Sequence, residues 1–327
     1  VAVFEARPKD ITMARSIAHP FVTTMLASAC MLGCGDDTTP FVPATDTAAD
    51  VADDPRSAAN VCRRWRDDRA DRREGTWTGG SPVSCNAGSL DIVGLENTLR
   101  QVNLFRWLAE LPPVALDPDK NSAAQACALA MDANDDIEHD IPATWRCRTE
   151  LAAQAAQLSN LATAAAVEAV DLYMDDEGIQ NLGHRRWILN NALGPIGVGS
   201  TRDFSCLHVI GGSGFAPNRW VAWPPPGYVP VEALHQDVGW GTYDIDRAGW
   251  SVQSDFIDVA RASVSVTMDG QPVAVRTRPL GEGYGSDYAI AIFPVDFATR
   301  PGHVYRVTLE LAREVIEYTF ELVACDG

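Results

Sequence analysis

An α+β fold, helices first and strands afterwards, is the class this sequence predicts, on three observations. Apolar residues recur at helical spacing from Leu95 to Leu189, and beyond Trp223 the period changes to two. Between the two patterns lies Trp223-Pro224-Pro225-Pro226-Gly227, which can continue neither a helix nor a central strand. The chain has 327 residues, enough for two domains, and its 46% apolar and 21% charged content suffices for real cores. A net charge of −18 with no basic stripe excludes nucleic acid as a partner. The one basic cluster, Arg63 to Arg73, alternates with Asp67, Asp68, Asp71 and Glu74, and reads as a self-neutralising surface segment.

Residues 1–34 read as a start region and signal peptide. Met13, the expected initiator, is followed by Arg15 and a short apolar run over 21–33, as in an export signal. Leu32-Gly33-Cys34 resembles the end of a bacterial lipoprotein signal, which makes Cys34 the expected lipidation site and the membrane a partner through that anchor. Residues 35–60, rich in Thr, Pro, Ala and Asp, cannot bury a core and read as a disordered tether. Residues 61–90 form a cysteine-bearing lead-in.

The first domain is expected over 91–223. Leu95, Leu99 and Val102 open its first helix, which Leu111-Pro112-Pro113 ends. Asp117-Pro118 supplies an N-cap and an N1 proline for a second helix over 119–133. A third is expected over 149–158 and a fourth over 163–174. The fifth is Asn181-Leu182-Gly183-His184-Arg185-Arg186-Trp187-Ile188-Leu189, where Asn181 would cap and place His184 in the first turn, its charged form opposed by the helix dipole. Short strands follow at 196–199, 204–210 and 219–223.

The second domain is expected over 224–327. Val264 and Val266 alternate before Asp269-Gly270, a strong hairpin turn, with Val273 and Val275 on the return strand. Further strands are expected at 289–293, 305–311 and 318–324. Short strands with turn signals over this length indicate a β-sandwich of immunoglobulin type.

Of the eight cysteines, Cys62, Cys85, Cys127, Cys147, Cys206 and Cys325 remain after Cys30 and Cys34 of the signal, an even number that suits an exported chain with three disulfides. Six cysteines admit many connectivities; the working expectation is Cys62–Cys85, Cys127–Cys147 and Cys206–Cys325, the last tying the domains together.

Several stretches, taken in order, carry a resemblance. They are Val102-Asn103-Leu104-Phe105-Arg106, Leu111-Pro112-Pro113-Val114 leading to Ala123-Ala124-Gln125, His139, Gly183-His184-Arg185-Arg186-Trp187, and Ile196-Gly197-Val198-Gly199. Residues 95–223 thereby resemble the bacterial form of the CAP superfamily, the cysteine-rich secretory, antigen 5 and pathogenesis-related-1 proteins, also called SCP domains. The resemblance implies an α-β-α sandwich. It also implies a central cleft lined by two histidines and two glutamates, which holds a divalent metal in some members. The histidines match His139 and His184. The first glutamate's position carries Ser159, in Leu158-Ser159-Asn160, and the second falls close to Tyr173, with Asp175 and Asp176 nearby but out of register. A zinc ion would need three protein ligands and an open position, so one of those aspartates would have to join the histidines.

Each candidate also has a bland reading. His139 lies in the acidic turn Asp135-Asp136-Ile137-Glu138-His139-Asp140, whose carboxylates would favour the protonated form. His184 would otherwise be a hydrogen-bonded core histidine. Asn103 and Arg106 read as structural. Ser159 with His184 as base would make a hydrolase, but no Gly-x-Ser-x-Gly elbow surrounds it. Trp223, Tyr228, Trp240 and Trp250 read as packing anchors rather than a sugar platform, and Asp244, Asp246, Asp255 and Asp258 as a solvated acidic face rather than a calcium site. His235 and His303 read as loop residues.

The leading functional expectation is an exported, lipid-anchored envelope protein that binds an apolar ligand such as a lipid, or an envelope polymer, in the cleft around His139 and His184. A metal-dependent hydrolase using that cleft is the second reading. An adhesion module acting through the β-sandwich is the third.

Overall fold

The computed structural model describes residues 54–237 and 242–325. The signal segment with Cys34, the tether up to residue 53 and Trp240 lie outside the described residues. Helix α1 (Ala58–Arg69) begins within the stretch expected to be tether, because Val61, Cys62 and Trp65 give it a face to bury. Trp65 packs edge-on against Phe105 at 6.1 Å. The arginine cluster is only partly self-neutralising. Arg73 pairs with Asp71, but Arg69 and Arg72 reach across to the buried carboxylate of Asp171 at 2.8 and 2.5 Å.

Strands β1 (Trp77–Thr78) and β2 (Ser89–Leu90) form a small antiparallel pair ahead of α2 (Ile92–Leu108). Helix α3 (Pro118–Asn134) starts where Asp117 accepts the backbone N–H groups of Asp119 and Lys120, with Pro118 at the position where a missing N–H costs nothing. Helix α4 (Glu150–Gln157) is capped by the Thr149 hydroxyl. Strand β3 (Ser159–Ala162), helix α5 (Ala166–Asp175) and helix α6 (Gly183–Ile188) follow. Strands β4 (Gly197–Ser200) and β5 (Ser205–His208) complete an antiparallel sheet in the order β3-β5-β4. β3 has no counterpart among the expected strands, since it is buried on both faces and shows no alternation.

This sheet is the middle layer of an α-β-α sandwich. On one face Leu161 and Cys206 join the alanine-rich α3 and α4 in one apolar cluster, stapled by a Cys127–Cys206 disulfide. On the other, Ala162, Val198 and Leu207 join the core built on α2 and α5. Gly197 and Gly199 are required by the first contact: a Cβ at either would lie 2.3 or 2.1 Å from the backbone of Lys120 or Ala124 in α3. Asn103 exchanges hydrogen bonds with the Val114 backbone at 3.0 and 2.8 Å. Arg106, fully buried, donates to the carbonyls of Pro112, Ile188 and Asn190. Both are structural ties between helix and loop.

The remaining elements are β6 (Val221–Trp223), β7 (Gly227–Pro230), β8 (His235–Asp237), β9 (Thr242–Asp244), α7 (Ile245–Ala248) and β10 (Trp250–Ser254). Then come β11 (Ser263–Met268), β12 (Gln271–Val273), β13 (Val275–Leu280), β14 (Tyr288–Pro294), β15 (Val304–Glu310) and β16 (Val315–Val323). Two sheets, ordered β13-β14-β10-β6 and β12-β11-β15-β16-β7, pack face to face, with Trp250 of one meeting Tyr305 and Phe320 of the other at 6.1 and 5.1 Å. Asp269 and Gly270, both at positive φ, make the expected tight turn between β11 and β12.

Three expectations need correction. The boundary placed after Trp223 cuts through a sheet, because β6 hydrogen-bonds to β10 beyond the proline run. The cysteine set is right but its pairing differs: the bonds are Cys62–Cys325, Cys85–Cys147 and Cys127–Cys206. Partners are chosen by proximity in the fold, and Cys62 on α1 lies beside the chain's last described residue. Asn181 does not cap α6. Leu182 takes the cap position in a left-handed conformation, φ 49°, with no side-chain cap bond, and the Asn181 Oδ1 instead accepts the Gly281 N–H at 3.0 Å. Burial of Leu182 among Leu280, Ala289, Ala291 and Phe293 docks α6 on the β-sandwich and outweighs a conventional cap.

Candidate functional site: two oriented imidazoles

The end of α5 orients His184. The helix stops at Asp176 in a left-handed conformation, which a short polar side chain tolerates. From there the fully buried Asp176 carboxylate accepts the His184 Nδ1–H at 2.7 Å through Oδ1 and the Arg185 backbone N–H at 3.1 Å through Oδ2. With Nδ1 donating to a carboxylate, Nε2 is the nitrogen left to act. The imidazole lies against the Tyr173 ring, centroids 5.3 Å apart. Asn160 donates from Nδ2 to the His184 carbonyl at 3.1 Å, and Tyr173 donates its hydroxyl to the Asn160 carbonyl, also at 3.1 Å. Burial pushes the Tyr173 phenol well above its ordinary range, so a neutral ring stands where the second glutamate is expected.

His139 follows α3 and turns inward. Its Nδ1 bonds the Ala156 carbonyl at 2.7 Å. Burial lowers its pKa, opposed by that bond, and the nearby His184 lowers it further. The expectation that the acidic turn would protonate His139 is therefore corrected. Asp135, Asp136 and Asp140 are exposed to water, which screens them, while the ring itself is desolvated. The structure thus brings His139 and His184 into mutual electrostatic range, each tied through Nδ1.

The other candidates do not join them. Asp175 faces the opposite way, accepting the Asp244 N–H at 3.1 Å, and burial raises its pKa to about 6. Ser159 is buried, and its Oγ has no hydrogen-bond partner, so neither histidine activates it. It sits across from His208 in the β3–β5 register, on the sheet face opposite the one from which Asn160 reaches His184. His208 is buried, and that burial lowers its pKa.

These residues do not fit a shared zinc ion. Glutamate is replaced by Ser159 and a phenol, Asp176 meets His184 at Nδ1 rather than beside Nε2, and Asp175 turns away, so among the described residues no carboxylate groups with both histidines at ligand spacing. Among the described residues, the group of three such side chains whose ligand atoms lie within 4.8 Å of one another is instead His235, Asp244 and Asp246. No sequence motif joins these three, since Asp244 and Asp246 read with Asp255 and Asp258 as an acidic face and His235 as a loop residue. Asp258 pairs with Arg261, and Asp255 accepts the Asp287 N–H. Trp223 and Trp250 are fully buried packing anchors, leaving Tyr228 alone of the described aromatic set partly exposed.

Residues 99–210, about a third of the chain, match the model of the cysteine-rich secretory protein family, CAP. A solved structure, that of an extracellular protein containing a SCP domain from Bacillus anthracis str. Ames, is similar at 21% identity with a TM-score of 0.28. The likeness covers 34% of this chain and 38% of that one, so this chain matches well under half the length of that protein. No curated protein matches.

Proposed function

We propose that this chain, which carries a CAP domain over residues 99–210, is an exported envelope protein that binds a ligand at the His139–His184 pair. Export is supported by the disulfides joining all six cysteines outside the signal segment, since such bonds persist in oxidising compartments. Lipidation at Cys34 and an immunoglobulin-type sandwich belong to the same proposal.

The observation that carries the binding reading is where Asp176 meets His184. It holds the ring by Nδ1, on the side away from Nε2, and among the described residues no carboxylate groups with the two imidazoles at ligand spacing. What remains are the two Nε2 atoms, with the Tyr173 ring lying against His184. Such a site suits uncharged polar groups of an envelope polymer better than an ion, because burial of His139 disfavours charge there. A lipid is the alternative occupant.

Co-sedimentation tests the reading, with insoluble cell-wall polymer in one arm and lipid vesicles in the other. The expected result is binding to the polymer that falls at least tenfold in His139→Ala and His184→Ala variants with native circular dichroism. Binding to vesicles alone would move the ligand to the lipid class. Retention by neither, or retention indifferent to both substitutions, would overturn the site.

A further inference from the structure

We infer that His235, Asp244 and Asp246 form a second, separate site for a divalent transition metal, with zinc the ion its chemistry fits. The β8–β9 register sets His235 directly across from Asp244. Asp244 is also the N-cap of α7, which carries Asp246 two residues on. One short hairpin and one helical turn thus converge three ligand atoms within 4.8 Å.

The spacing separates this group from an ordinary histidine–aspartate pair. His184–Asp176 and His303–Asp269 close to 2.7 and 2.6 Å, the distances of charge-assisted hydrogen bonds. His235 Nδ1 instead stands 3.3 Å from Asp244 Oδ1. Ligand atoms bound at about 2.0–2.1 Å around a tetrahedral zinc ion lie roughly 3.3–3.4 Å from one another. Nδ1 is thus the nitrogen that faces Asp244, while Nε2 is shut off from solvent without a hydrogen-bond partner.

The third ligand is held from behind. Asp246 Oδ2 accepts the Thr299 N–H at 2.6 Å, and Oδ1 accepts the Thr299 hydroxyl and the indole N–H of fully buried Trp250, the latter at 3.2 Å. Such outer contacts fix the direction of a ligating carboxylate. Asp244 is anchored as well, its backbone N–H donating to Asp175 at the end of α5. Arg247 approaches Asp244 at 3.7 Å but is more than half exposed, so it compensates the paired carboxylates weakly. One nitrogen and two oxygens match zinc; calcium would want six or more oxygens. Three protein ligands leave a fourth position for water, and a bound ion would clamp the hairpin to both the β-sandwich and the CAP domain.

The test is calorimetric titration of the chelator-stripped full chain with zinc chloride alone. One equivalent is expected, with affinity falling at least tenfold in His235→Gln and in Asp244→Asn, which keeps a competent N-cap. His184→Gln should bind as wild type. Because a misfolded variant would imitate lost affinity, ring ¹⁵N signals of the wild-type protein supply a second readout: zinc should move His235 and leave His139 and His184 in place. Failure to saturate at one equivalent, or zinc shifts at His139 and His184 instead, would overturn the inference.

Discussion

His184 donates through Nδ1 to Asp176 at 2.7 Å, and the same carboxylate takes the backbone N–H of the next residue, Arg185, at 3.1 Å. One buried side chain therefore both orients the imidazole and caps the first turn of α6. Asp176→Ala would leave two buried donors without partners, which costs about 2–4 kcal/mol. Asp176→Asn should cost less, since asparagine keeps an acceptor and tolerates the left-handed backbone. Urea midpoints of both variants check this. An alanine variant as stable as wild type would contradict the role given to Asp176.

His139 makes stability depend on pH. Its folded pKa is depressed, chiefly by burial, below the 6.5 of a solvated imidazole. Below that value the unfolded chain binds the proton that the folded chain refuses. The contribution of the neutral ring is therefore present above pH 6.5 and lost as pH falls through the folded value. His139→Gln should lose less stability than wild type between pH 7.5 and pH 5, as measured by thermal melts. Parallel losses in the two proteins would sink this assignment.

Arg185 joins the two halves of the molecule. Fully buried, it donates to the carbonyls of Met174 and Asp175 at the end of α5 and, at 2.7 Å, to Gly249 ahead of β10. Arg185→Met would strand those carbonyls, at a cost of about 3–5 kcal/mol. The same side chain in isolation from the sandwich would matter less, so an effect under about 1 kcal/mol would deny it a bridging role.

The Cys62–Cys325 bond spans 263 residues, so loop entropy alone makes it worth about 5–6 kcal/mol. Non-reducing peptide mapping should recover this link together with Cys85–Cys147 and Cys127–Cys206. A Cys62→Ser/Cys325→Ser double variant should melt several degrees lower. Recovery of a Cys62–Cys85 link would contradict the way α1 is packed.

Local chemistry was legible in the sequence wherever one residue decides its own conformation. Asp117-Pro118 starts α3 and Asp269-Gly270 turns the hairpin, whereas the close passage of α3 over β4 at Gly197 and Gly199 shows only in the fold. Long-range choices were not legible. The pairing of Cys62, the docking of Leu182 in place of an Asn181 cap, and the capture of Arg69 by Asp171 depend on which surfaces meet. The candidate site was readable to the same limit. His139 and His184 stood out by their motifs, whereas the engagement of Asp176 could be seen only once α5 and α6 were placed. His235 and Asp244 meet through a strand register that no spacing announces.

The central claim is that His139 and His184 form an oriented binding pair rather than a shared metal centre. Ring ¹⁵N spectroscopy at neutral pH, before and after addition of one equivalent of zinc chloride, tests it most directly. A neutral, Nδ1-protonated His139 and an Nδ1-protonated His184 are expected, both unmoved by zinc. A zinc-dependent shift at Nε2 of both rings would contradict it.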